Sequence, residues 1–232
     1  MEVSENLKSV MSRISEAAIK SGRQPCDIHL VAATKTISGE KISEAIGAGL
    51  KICGENRVQE LCEKYEQGAY EGAELHFIGR LQRNKVRLLA GKCSLIQSVD
   101  SLELLKEINK RAKALGLVQD VLLQVNIAGE QSKAGFEPSQ LDEVLGEIGG
   151  FPFVFVRGIM AIPPISYNKG ENRPYFAGMN QLFVDIRSKK YDNVSMDFLS
   201  MGMSGDFEDA IAEGSNMVRV GSAIFGVRPL QP

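Results

Sequence analysis

Apolar residues along this chain alternate between two periods: the short continuous or alternating runs of strands, and the i, i+3, i+4 spacing of amphipathic helices. The first segment, residues 4–20, puts Leu7, Val10, Met11, Ile14, Ala17 and Ala18 on one helical face, and Gly22 and Pro25 end it. An apolar run at 29–34 follows. A helix then starts near Ser38, carries Ile42, Ala45 and Ile46, and closes at Gly47 to Gly49. The same couple recurs with strands at 51–53, 75–78, 95–99, 121–125, 153–160, 196–199 and 217–220. Helical patterns fill the intervals. One, at 101–115, has Asp100 and Glu103 at capping-box spacing; another is opened by Pro138 and closed by Gly149 and Gly150.

About eight strand-then-helix units after one extra N-terminal helix imply an α/β fold with a parallel sheet. Repetition without reversal predicts a single closed (β/α)8 TIM-type barrel, and no G-x-G-x-x-G follows the first strand to suggest a dinucleotide fold. Residues 1–232 contain no linker-like or low-complexity tract and read as one domain.

Composition narrows the picture. With 44% hydrophobic and 24% charged residues over 232 positions, a large core is feasible without metal or disulfide staples. The four cysteines (Cys26, Cys53, Cys62, Cys93) form no C-x-x-C pair, so buried reduced thiols are expected rather than structural zinc. A net charge of −2 draws the chain to neither nucleic acid nor anionic lipid. The cations of residues 80–87 lack interleaved aromatics and read as a solvated helix face. No apolar run spans a membrane and the N-terminus lacks a signal-peptide core, so a cytoplasmic location is expected.

Barrel chemistry sits where strands end and loops begin. Lys35 ends the first strand, with its stem among strand side chains and its amine at the mouth. It is either a reactive amine, able to attack an aldehyde once neutral, or a cation that snorkels to water. Residues 199–206 join a strand to a helix through two glycines and two serines, Ser200 and Ser204 among them. Gly221-Ser222 makes a second tight turn after the last strand. These are the positions where barrels hold phosphate; a Ser204 helix cap is the plainer alternative. Arg219, between Val218 and Val220, is either functional or part of a structural ion pair. Asn56 and His76 satisfy strand-end backbone or join the chemistry, and Lys133 is solvated or functional.

Taken in order, several motifs resemble the pyridoxal 5′-phosphate (PLP) homeostasis protein family. They are Val31-Ala-Ala-Thr-Lys-Thr36, Gly54-Glu-Asn-Arg-Val-Gln-Glu60, His76-Phe-Ile-Gly79 with Leu81-Gln-Arg-Asn-Lys85, Asn126 with Ser132-Lys-Ala-Gly135, Gly158-Ile-Met-Ala161, Leu199-Ser-Met-Gly-Met-Ser204 and Val218-Arg-Val-Gly-Ser-Ala-Ile-Phe-Gly226. The resemblance runs from about Ile28 to Arg228. It implies the barrel of the alanine racemase N-terminal domain, with Lys35 forming the internal aldimine. It also implies that Ser200, Ser204, Gly221 and Ser222 hold the phosphate, that Arg219 faces the pyridine nitrogen, and that Asn56, His76 and Met160 line the ring and its approach. Thr34 stands where serine is common and keeps the hydroxyl.

An always-protonated arginine at the ring nitrogen makes the ring a poorer electron sink. The sequence also stops at Pro232, and none of Tyr65, Tyr70, Tyr167, Tyr175 or Tyr191 obviously supplies a racemase's second base. A PLP carrier is therefore expected more than an enzyme. The alternative is a weak amino-acid racemase or another Schiff-base enzyme, such as an aldolase. An adaptor would rest on residues 80–87 alone. Expected partners are PLP and, in delivery, apo PLP-dependent enzymes, with no nucleic acid or membrane and a monomeric or weakly dimeric state. Lys133 is a candidate second amine for cofactor entry or release.

Overall fold

The computed structural model describes residues 2–130, 133–166 and 168–226; Ser132, Tyr167, Arg228 and Pro232 lie outside them. The chain runs α1 (Val3–Lys20), β1 (His29–Ala33), α2 (Gly39–Gly47), β2 (Ile52–Glu55), α3 (Val58–Glu66), β3 (Glu74–Phe77) and α4 (Val86–Leu89). It continues β4 (Leu95–Val99), α5 (Leu102–Leu115), β5 (Gln119–Val125), α6 (Leu141–Glu147), β6 (Val154–Ala161) and α7 (Arg173–Ser188). Last come β7 (Val194–Ser200), α8 (Phe207–Ala212), β8 (Met217–Val220) and α9 (Ser222–Phe225). The eight strands form a closed parallel barrel in chain order, sealed where Leu30 and Val31 of β1 pair with Val218 and Arg219 of β8. The expected (β/α)8 barrel with its extra N-terminal helix is therefore present.

Alternation along each strand splits the apolar residues into two sets. Val31, Ile52, Ile78, Leu95, Leu122, Met160 and Met217 meet inside the barrel. The other set, with Phe77, Phe176 and Phe207 among its largest members, packs strands against the surrounding helices. Each fully buried aliphatic or aromatic side chain contributes about 1.5–3 kcal/mol of burial free energy. Alternation also turns His76, Gln97, Ser200 and Arg219 inward, and all four are buried.

Several local expectations need correction. Met11 is 46% exposed, because the buried stripe of α1 runs through Val3, Leu7, Val10, Ile14, Ala17 and Ala18 instead. Asp100 and Glu103 do not cap α5. Ser101 does, its Oγ accepting from the Leu104 N–H at 3.4 Å. Of the four thiols, Cys53 and Cys93 are buried, Cys62 is half-buried and Cys26 is exposed. Burial pushes the first two up to about 12. Among the described residues, no helix is long and apolar enough to cross a membrane.

Candidate functional site

Lys35 follows the end of β1 in a turn that Thr36 completes with φ of 63°. What holds that turn is a buried acid. Glu55, at the end of β2, is fully buried, and its Oε2 lies 3.1 Å from Thr34 Oγ1, 3.0 Å from Lys64 Nζ and 3.2 Å from Tyr70 Oη. Its Oε1 accepts from the Asn56 N–H at 2.9 Å. Lys64, on α3, also donates to Thr34 O at 2.8 Å and to Glu60 Oε1 at 2.6 Å, and Glu60 accepts from the Thr36 N–H. Backbone on either side of Lys35 is thus pinned to one ion-paired network. Lys35 is half-buried.

Arg219 comes from the neighbouring strand, β8. It is 5% exposed, and its guanidinium donates to Ser200 Oγ at 2.6 Å and to Ala161 O at 2.9 Å. Among the described residues no carboxylate lies within ion-pair distance of it, so the structural ion pair weighed from sequence is not what occupies this arginine. Burial lowers it to about 10, with Asp206 opposing that shift, and it stays charged at neutral pH.

The loops after β7 and β8 are joined to each other. Ser204 Oγ accepts from the Gly221 N–H at 3.1 Å. Asp206 occupies the N-cap position of α8 without a side-chain bond to a helical N–H; its Oδ1 accepts from the Met203 N–H in the preceding loop at 2.7 Å and its Oδ2 accepts from Asn172 Nδ2 at 2.9 Å. Ser204 is therefore not the helix cap that was the plainer alternative. The turn needs Gly202: its φ is 91°, and a Cβ there would lie 2.5 Å from Ala210 Cβ. Ser222 opens α9, where the first N–H groups have no partner within the helix.

Strand order brings Ser200 and Ser204 (β7), Arg219, Gly221 and Ser222 (β8), Lys35 (β1) and Asn56 (β2) onto one arc of the barrel's C-terminal end. Met160 is buried inside the barrel, paired in register with Ser200. His76 does not join this arc. It sits deeper, its Nδ1 3.0 Å from Gln97 Nε2 and its Nε2 3.5 Å from Glu74 Oε2 at the strand's start. Lys133 pairs with Glu130 at 2.6 Å. Arg80, Arg83 and Arg87 are exposed, as a solvated face requires.

Two mouth residues carry buried oxygens that lack a hydrogen bond among the described residues: Asn56 Oδ1 and Asn126 Oδ1. Gln97 and Lys64 are functional-site neighbours that did not stand out from the sequence. The available signal was a glutamine in the middle of the apolar run 95–99, which needs a buried partner.

A lysine at the mouth, a buried cation with no carboxylate at ion-pair distance among the described residues, and two serine-glycine turns mark the C-terminal end of this parallel barrel. The chain belongs to the alanine racemase N-terminal domain family, whose profile matches residues 6–229. Within that family it is similar to the pyridoxal phosphate homeostasis proteins. It is 46% identical to that of Aquifex aeolicus, covering 98% of this chain and 99% of the relative. It is 40% identical to that of Escherichia coli, over 98% and 97%. Among solved structures, PipY of Synechococcus elongatus with PLP bound superposes with a TM-score of 0.83 at 31% identity, covering 97% of this chain and 100% of that one.

Proposed function

We propose that this chain binds PLP, holds it as a reversible Schiff base on Lys35, and serves in intracellular PLP homeostasis or delivery to apo-enzymes. The observation that carries this reading is Arg219: a buried cation on the strand next to β1, which Lys35 follows, with only neutral acceptors among the described residues. A pyridine nitrogen is an acceptor such a guanidinium can serve. The orphaned oxygens of Asn56 and Asn126 fit polar groups of the ring, and Ser204, Gly221 and Ser222 fit the phosphate. Similarity to PipY, whose structure was solved with PLP bound, supports PLP as the ligand.

In this scheme the neutral Lys35 amine adds to the aldehyde carbon, and the aldehyde oxygen leaves as water. Water would reverse the step and return free PLP, whereas another amine would free Lys35 and carry the cofactor away as that amine's own Schiff base. Arg219 would hold the cofactor by donating to its ring nitrogen and would disfavour protonation there, which would limit carbanion chemistry and favour a carrier. PLP added to the purified protein is expected to give a visible Schiff-base band, and borohydride should fix one PLP mass on the peptide containing Lys35. If Lys35→Ala keeps the band at full occupancy, the assignment fails; robust α-proton exchange on amino acids would instead overturn the carrier role. Lys133→Ala is expected to change the rate of PLP transfer to an apo-enzyme while the adduct on Lys35 persists.

A further inference from the structure

A single file of hydrogen bonds crosses the barrel interior behind Arg219. Arg219 Nη1 donates to Ser200 Oγ at 2.6 Å, and Ser200 Oγ donates to Gln97 Oε1 at 2.7 Å. Gln97 Nε2 then meets His76 Nδ1 at 3.0 Å, and His76 Nε2 lies 3.5 Å from Glu74 Oε2. Glu74 is the first residue of β3, so the file ends at the barrel's N-terminal end. There it reaches a cavity of about 220 Å³ lined by His29, Glu74, His76, Asp120, Arg157 and Phe198.

Proton counting gives the file a direction. An amide nitrogen can only donate, so Gln97 Nε2 obliges His76 Nδ1 to accept and places the imidazole proton on Nε2, toward Glu74. Met217 Sδ, 3.2 Å from Gln97 Nε2, agrees with the nitrogen being there, since the carbonyl oxygen would face sulfur repulsively. Every donor therefore points away from the guanidinium and toward a carboxylate. A second proton on His76 must go to Nδ1. Gln97 then has to turn its oxygen to His76 and its nitrogen to Ser200, and the Ser200 hydroxyl loses its acceptor beside Arg219. The chain cannot accept that proton at one end without rearranging at the other.

We propose that Ser200, Gln97 and His76 are positioning residues for Arg219, so that the protonation state of His76 at the far end of the barrel sets the orientation of the guanidinium at the mouth. The functional consequence rests on the PLP reading above; the relay itself does not. The charged groups around His76 are His29 on β1, Glu74 on its own strand, Asp120 on β5, and Arg157 on β6, which is held at 2.8 Å by Asp197 of β7.

The first measurement uses the chain without PLP. It contains two histidines, so ¹⁵N-labelled His29→Gln leaves His76 alone to follow. The expected result is a neutral ring protonated at Nε2, with the Arg219 side-chain resonances shifting at the same pH midpoint as His76. A proton on Nδ1, or Arg219 resonances indifferent to that midpoint, overturns the relay. The second measurement follows the visible band of PLP-loaded protein against pH. Gln97→Leu should abolish the component that titrates with His76, and Gln97→Glu should raise its midpoint by about 1–3 units by placing a carboxylate on the imidazole. Unchanged titration in both variants overturns the proposal. Failure of borohydride to fix PLP on wild-type Lys35 would remove the cofactor reading while the first measurement still decides the relay.

Discussion

Arg219 is expensive for the chain without ligand. Holding a guanidinium down at about 10, well below its ordinary value, corresponds to burial that is unfavourable by on the order of 3 kcal/mol. Its two hydrogen bonds to Ser200 and Ala161 offset part of that. Arg219→Met is accordingly expected to leave the ligand-free protein within about 1 kcal/mol of wild type in urea unfolding at neutral pH, since lost desolvation cost and two orphaned acceptors nearly cancel. The same variant should bind PLP at least about tenfold more weakly by absorbance titration. The sign with pH follows from the lowered value. Above about 10, up to the ordinary guanidinium value, the unfolded chain holds this proton more tightly, so wild type gains stability relative to Arg219→Met as pH rises through that window. A variant that loses several kcal/mol at pH 7 would show that this arginine is a structural support instead.

At the scale of elements, the mouth depends on how β1, β2 and α3 are tied together by Glu55 and Lys64. Lys64 is only 8% exposed and Glu55 is fully buried, so removing one partner strands the other's charge. Lys64→Met should cost about 3–5 kcal/mol in urea unfolding, and adding Glu55→Gln should restore at least half of it. If the double variant is no more stable than Lys64→Met, the cost lies in packing rather than in the uncompensated carboxylate. Such a network marks the boundary of what periodicity can reveal. Strand and helix periods disclosed eight β/α units and hence the barrel, because burying one face of each element is a local property of the chain. Lys35, Arg219 and the two serine-glycine turns were also legible, since barrel geometry puts strand ends and following loops at one mouth. Lys64 was hidden because its partners, Thr34 and Glu55, lie 30 and 9 residues away and meet it only through strand order. Gln97 was hidden for the same reason, its hydroxyl partner Ser200 being 103 residues distant across the barrel. His76 sits at a position that reads as a strand end, yet the pairing of His76 with Leu95, the first residue of β4, sets it below the mouth. Capping at Ser101 rather than Asp100 is a one-residue offset that spacing alone does not resolve.

Across the whole molecule, the extra helix α1 has a task that the (β/α)8 pattern does not require. It packs on α8 and α9, the two short helices that follow the serine-glycine loops. Asn6 Nδ2 donates to Ile224 O at 2.9 Å, Arg13 pairs with Glu208 at 3.0 Å, and the Arg13 guanidinium lies 4.7 Å from the centre of the Phe207 ring. Helices of six and four residues have too few turns to be stable alone, so their positions depend on what they pack against. Through α1, the start of the chain thereby steadies the loops that end its last two strands. Ile14 is the position to test, being 1% exposed on the buried stripe of α1. Ile14→Ala should lower stability by about 2–5 kcal/mol in chemical unfolding. Measured well below its melting temperature, where nearly all molecules remain folded, the variant should also bind PLP more weakly, as its loops are held less firmly. Met11→Ala, on the exposed face of the same helix, should change neither quantity by more than about 0.5 kcal/mol. A folded Ile14→Ala protein with wild-type PLP affinity would show that α1 stabilises the barrel without steadying its mouth.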